Sequence, residues 1–90
     1  MAWSSITTRS YGRRVSARLT LPERRLRQKI ASNVRQLREG SGLTLEAAAH
    51  NAGMHWRHWQ KVEAGEVNVT IASLVKVASA LGVEAARLLE

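Results

Sequence analysis

Residues 55–62 read His55-Trp56-Arg57-His58-Trp59-Gln60-Lys61-Val62. Wound as a helix, this stretch sets Arg57 and Lys61, four apart, on one face with Trp56 and Gln60 beside them, while Trp59 and Val62 turn to the opposite side. The first face is cationic and polar and suits an anionic partner; the second belongs in a core. Other chemistry finds little support. His50, His55 and His58 are the residues that a metal cluster would draw on, but the chain has no Cys and all seven of its acids are Glu. Solvated histidines are therefore expected, with no metal and no cofactor. The same absences, with no phosphate-cradling Gly loop and no paired acids, leave no catalytic constellation, so the chain reads as not an enzyme.

Ninety residues suffice for one modest core, and 44% hydrophobic with 23% charged residues fits a globular protein. No apolar run approaches the roughly 20 residues of a membrane span, and nothing resembles a secretory leader, so a cytoplasmic location is expected and no membrane partner. The formal charge of +7 is unevenly distributed. Arg9, Arg13, Arg14, Arg18, Arg24, Arg25, Arg27 and Lys29 face Glu23 alone, whereas from Ile30 onward the six basic side chains are matched by six Glu. A polyanion is the partner such a surplus suits.

Residues 1–19 mix Ser, Thr, Gly and Arg without apolar periodicity and read as a flexible basic arm, with Arg9, Arg13, Arg14 and Arg18 as its charges. An Arg-rich, Ser-rich, acid-poor start also fits an organellar transit peptide. From Thr20 the chain reads as one domain, residues 20–90. Thr20-Leu21-Pro22-Glu23 is a capping box around a first-turn Pro. Leu26, Ile30, Val34 and Leu37 then form a one-sided stripe until Gly40 and Gly42, and the outer face with Arg24, Arg25, Gln28, Arg35 and Glu39 reads as solvated.

Thr44 caps a short Ala-rich helix, Leu45 to Ala52, ended by Gly53, and His55 to Val62 follows as another short helix closed by Gly65. Two short helices across a tight Gly turn form a helix-turn-helix unit. Thr70 caps a fourth helix with a stripe of Ile71, Leu74, Val75, Ala78 and Leu81 before Gly82, and Val83 to Leu89 reads as a brief fifth. The expected architecture is all-α, a compact five-helix domain behind a basic arm. With Glu90 immediately after the fifth helix, no ligand-sensing or cleavable oligomerisation domain is expected.

The stretch Ile30-Ala31-Ser32-Asn33-Val34-Arg35-Gln36-Leu37-Arg38, then Gly42-Leu43-Thr44, Ala48-Ala49, Ala52-Gly53, Glu63-Ala64-Gly65, Leu74 and Ala78-Ser79-Ala80-Leu81-Gly82-Val83, resembles the lambda-repressor-like (Cro/XRE-type) helix-turn-helix family over about two thirds of the chain. The resemblance implies a sequence-specific transcriptional regulator, repressor-like, that lays its third helix in the major groove of double-stranded DNA. Trp56, Arg57, Gln60 and Lys61 match the base-facing positions. Arg57 would bond guanine O6 and N7, Lys61 guanine or phosphate, and Trp56 a thymine methyl or sugar.

Thr44, His55, His58 and Asn68 are the implied phosphate contacts, and Arg38 with Glu63 the implied ion pair between the first helix and the end of the third. Three positions depart from the family pattern: Leu45 stands where Gln is common, Ala48 where a larger apolar residue is usual, and Val69 where Pro is frequent. The chain from Ile30 onward being neutral, the basic arm is expected to supply phosphate neutralisation. A homodimer is expected from family habit, with Val83, Leu88 and Leu89 as its surface. The alternative is an antitoxin or bridging, coactivator-type module that uses Trp56 and Leu45 against a protein partner while the arm holds nucleic acid non-specifically.

Overall fold

A computed structural model describes residues 19–90. The basic arm, with Arg9, Arg13, Arg14 and Arg18, lies outside the described residues except for Leu19. Four α-helices follow: α1 (Leu21–Gly40), α2 (Leu45–Ala52), α3 (Trp56–Glu63) and α4 (Ile71–Leu81). No strand occurs among the described residues.

Helix starts are set by side chains that satisfy otherwise unbonded first-turn amides. Thr20 Oγ1 accepts from the Glu23 amide at 3.2 Å, and Glu23 Oε1 accepts from the Thr20 amide at 3.3 Å, which closes the expected capping box. Thr44 and Thr70 accept from the amides of Ala47 and Ser73 at 3.0 and 3.1 Å. α2 ends at Gly53 with φ 69°, where the Gly53 amide bonds the His50 carbonyl and the Met54 amide the Ala49 carbonyl. A side chain at that φ would crowd the backbone, so glycine is what allows the chain to reverse this tightly into α3.

The expected fifth helix is instead a 3₁₀ turn, Ala85–Leu89. Its i to i+3 bonds, from the Arg87 amide to the Glu84 carbonyl and from the Glu90 amide to the Arg87 carbonyl, wind at three residues per turn. That winding eclipses Ala85 and Leu88, so both turn inward, and Asn33 Nδ2 ties the segment to α1 through the Leu88 carbonyl at 2.8 Å. Leu88 is fully buried and cannot serve as an association surface.

The core joins Ile30 and Val34 of α1, the small face Ala48, Ala49 and Ala52 of α2, Trp59 and Val62 of α3, Val77, Ala78 and Leu81 of α4, and Leu88. Two expected stripes are corrected. On α1, Ile30 and Val34 are buried and Leu37 is half-buried, but Leu26 is exposed at the rim of a shallow depression shared with Asn68 and Val69. On α4, Ile71 and Val75 face outward and Val77 takes the inward place. Eight of the eleven positions of α4 are apolar, so its sequence offers two stripes, and contact with the rest of the fold selects between them.

Candidate nucleic-acid interface

α3 has two unlike faces. On the inner one, Trp59 is fully buried, and removing its large ring from water contributes about 4–6 kcal/mol at most. Its indole needs a hydrogen-bond acceptor, and Nε1 donates to Glu63 Oε2 at 2.6 Å, one helical turn on. Glu63 is the buried acid among the described residues, and it is fully engaged. Arg38 Nε donates to its Oε2 at 2.6 Å and Nη2 to its Oε1 at 3.1 Å, a two-pronged pair. The remaining Arg38 nitrogen, Nη1, donates to the Leu43 carbonyl at 2.9 Å, ahead of α2.

Bonding to Glu63 holds the Arg38 guanidinium above its already high ordinary pKa, outweighing burial, which acts in the other direction. The guanidinium therefore remains charged at any working pH. One cluster thus fastens α3 to α1 and to the turn before α2. No buried side-chain nitrogen or oxygen among the described residues lacks a partner. The Arg38–Glu63 pair was legible from the family pattern; the Trp59 bond was not anticipated, although the four-residue spacing of Trp59 and Glu63 puts them within reach on one helix face.

The outer face carries Trp56, Arg57, Gln60 and Lys61, all exposed, at the spacing read from the sequence. The Arg57 guanidinium carbon lies 5.4 Å from the Trp56 ring centroid, and the His55 ring stacks on Trp56 at 5.8 Å. Such cation–π and ring contacts restrict a long, mobile side chain before any partner arrives. His55 is the N-cap of α3: its Nδ1 accepts from the Arg57 amide at 3.1 Å. With Nδ1 so engaged, the neutral ring carries its proton on Nε2.

Of the other expected contacts, Thr44 is exposed at the α2 N-terminus, His58 is exposed in the first turn of α3, and Asn68 is exposed in the connection from α3 to α4. Thr44 Oγ1 is engaged as a cap but its hydroxyl proton remains available. The first-turn amides of α2 add the partial positive charge of a helix start. Leu45 is half-buried against the core. No metal-holding group of three or more His, Cys or acidic side chains occurs among the described residues, and no described helix is long and apolar enough to cross a membrane.

The chain matches a helix-turn-helix domain family over residues 30–90. No curated protein sequence matches it. Among solved structures, it is similar to the restriction-modification controller protein C.AhdI from Aeromonas hydrophila, with 32% identity and a TM-score of 0.67 over 69% of this chain and 94% of that one. The hypothetical transcription factor NHTF from Neisseria aligns at 35% identity and a TM-score of 0.71, covering 81% of this chain and 90% of that one. The clp gene regulator ClgR from Corynebacterium glutamicum aligns at 28% identity and a TM-score of 0.68, covering 71% and 68%. These similarities, the matched segment and the capped turn between α2 and α3 agree: the chain belongs to the lambda-repressor-like, Cro/XRE-type helix-turn-helix family, whose members are DNA-binding transcriptional regulators and not enzymes.

Proposed function

We propose that this protein is a sequence-specific, repressor-like regulator that reads double-stranded DNA with α3 in the major groove. The observation that carries the reading is the division of α3. Its inner face is locked by Trp59, Glu63 and Arg38, which leaves Trp56, Arg57, Gln60 and Lys61 exposed on a rigid helix with a pre-stacked guanidinium. Arg57 bonds guanine O6 and N7, Gln60 and Lys61 take neighbouring edges, and Trp56 packs on a thymine methyl or sugar. Thr44, His55, His58 and Asn68 hold phosphates around them. Arg9, Arg13, Arg14 and Arg18 add phosphate neutralisation.

Two copies bind a two-fold site. The association surface differs from the one expected, since Leu88 is buried: Ile71 is 79% and Val75 53% exposed, one turn apart on α4, with half-buried Val83 just beyond and Leu89 exposed. These side chains supply the apolar surface on which the second copy packs.

Selection from a random double-stranded DNA pool, for wild type and Arg57→Ala at fixed salt, tests the reading. A two-fold motif that loses a guanine preference in the variant is expected. Absence of any enriched motif would instead assign the helix-turn-helix to a protein partner. In the same selection, Val75→Glu is expected to reduce the motif to a half-site.

A further inference from the structure

Before its match to the family begins at residue 30, α1 already runs nine residues, and this part carries Arg24, Arg25, Arg27 and Lys29 against Glu23. From residue 30 onward the basic and acidic side chains balance, so this half-helix holds the whole charge surplus of the described residues. Its cations divide by direction. Arg27 Nη1 reaches the Glu66 carbonyl at 3.5 Å, and the Gln28 amide nitrogen lies 2.8 Å from where a side chain on Gly65 would begin. Arg27 also lines a small depression with Leu26, Asn68 and Val69. Arg24, three residues before Arg27, shares its side by helical spacing, one turn further out. Arg25 and Lys29 turn instead toward the chain's end at Glu90.

The side bearing Arg24 and Arg27 therefore borders the segment that leaves the C-terminal end of α3. An eight-residue helix is about 12 Å long and the major groove is about 12 Å wide. A helix that spans the groove brings its two ends close to the two phosphate strands. His55 and Thr44 serve one end; at the other, Asn68 is uncharged, Arg35 is drawn back to Glu63 at 4.0 Å, and Arg27 reaches the Glu66 carbonyl with Arg24 one turn further out.

We propose that Arg24 and Arg27 bind the sugar–phosphate backbone of the duplex beside the C-terminal end of α3, as a helical clamp built onto the family domain. The proposal rests on α3 lying in the major groove. Arg24, expected to be solvated, thus has a polyanionic occupant, and the domain gains cationic phosphate contacts beside the uncharged ones of Thr44 and Asn68.

The test is salt-dependent binding of the full chain to a mixed-sequence duplex and to the selected motif, between about 50 and 200 mM salt. Arg24→Gln/Arg27→Gln is compared with Arg25→Gln/Lys29→Gln, which removes the same charge from the side turned away. Helical circular dichroism and melting temperature verify that both fold, and Arg24→Lys/Arg27→Lys should restore wild-type behaviour. Loss of two phosphate contacts lowers the slope of log affinity on log salt by about 1.8, so the first variant should lose about 10-fold less affinity than wild type across that range. The second variant should change by less than half as much. Equal effects in the two variants would reduce the clamp to general electrostatics, and an unchanged slope in the first would overturn it. A selected motif that is normal despite an unchanged slope leaves base reading intact while removing the clamp. A slope that depends on Arg24 and Arg27 with no motif at all does the reverse.

Discussion

The two faces of α3 lie on one eight-residue helix and are held in opposite ways. On the inner face every polar atom is spoken for: the Trp59 indole, both Glu63 oxygens and the Arg38 guanidinium bond one another at 2.6–3.1 Å. On the outer face the polar ends of Arg57, Gln60 and Lys61 have no hydrogen-bond partner among the described residues, and the ordering contacts are ring stacks. Rigidity comes from one side, and in the proposed function recognition falls to the other. Substitutions on the two faces should therefore register in different measurements.

The largest effect is expected from Trp59→Ala. It leaves a cavity in place of a fully buried ring and removes one Glu63 partner, so chemical denaturation should show a loss of about 3–5 kcal/mol. Glu63→Ala follows, at about 2–4 kcal/mol. It strands the Arg38 charge, but the 14% exposure of that side chain and its bond to the Leu43 carbonyl moderate the cost. Arg57→Ala should do the opposite: stability within about 0.5 kcal/mol of wild type, and a loss of about 1–3 kcal/mol in discrimination at one base position. If Arg57→Ala lowered the melting temperature as much as Glu63→Ala, the division of α3 into two independent faces would be wrong.

Much of this contrast is legible in the sequence because it depends on spacing. Trp59 and Val62 are three apart, Arg57 and Lys61 four, and the Thr and Gly residues that punctuate the helices mark ends the structure reproduces at Thr20, Thr44, Gly53, Thr70 and Gly82. What spacing does not carry is which way an apolar helix turns. α4 could bury either of two stripes, and Ile71 and Val75 are exposed because packing of α4 on α2 and the 3₁₀ turn buries Val77, Ala78 and Leu81. Leu88 is hidden for a related reason: a 3₁₀ turn and an α-helix aim the same residues differently, and five residues do not announce which will form. The direction of Arg24 and Arg27 likewise depends on where the Gly65–Asn68 segment lies beside α1, a long-range relation absent from local pattern.

His55 stands at the seam between the faces, and its substitution separates them with the smallest effect. Through Nδ1 it caps α3, and through its ring it stacks on Trp56, while Nε2 is directed to no bond within the described residues. His55→Ala should cost about 0.5–1 kcal/mol, toward the low end of cap losses because the site is exposed. His55→Asn restores a cap oxygen in reach of the same amide but shortens the side chain and removes the ring. Melting curves should therefore recover in the Asn variant. If DNA affinity recovers with them, His55 assists binding by ordering the first turn that carries Arg57. If stability returns alone, the ring itself reaches the phosphate, and the outer face begins one residue earlier than the helix does.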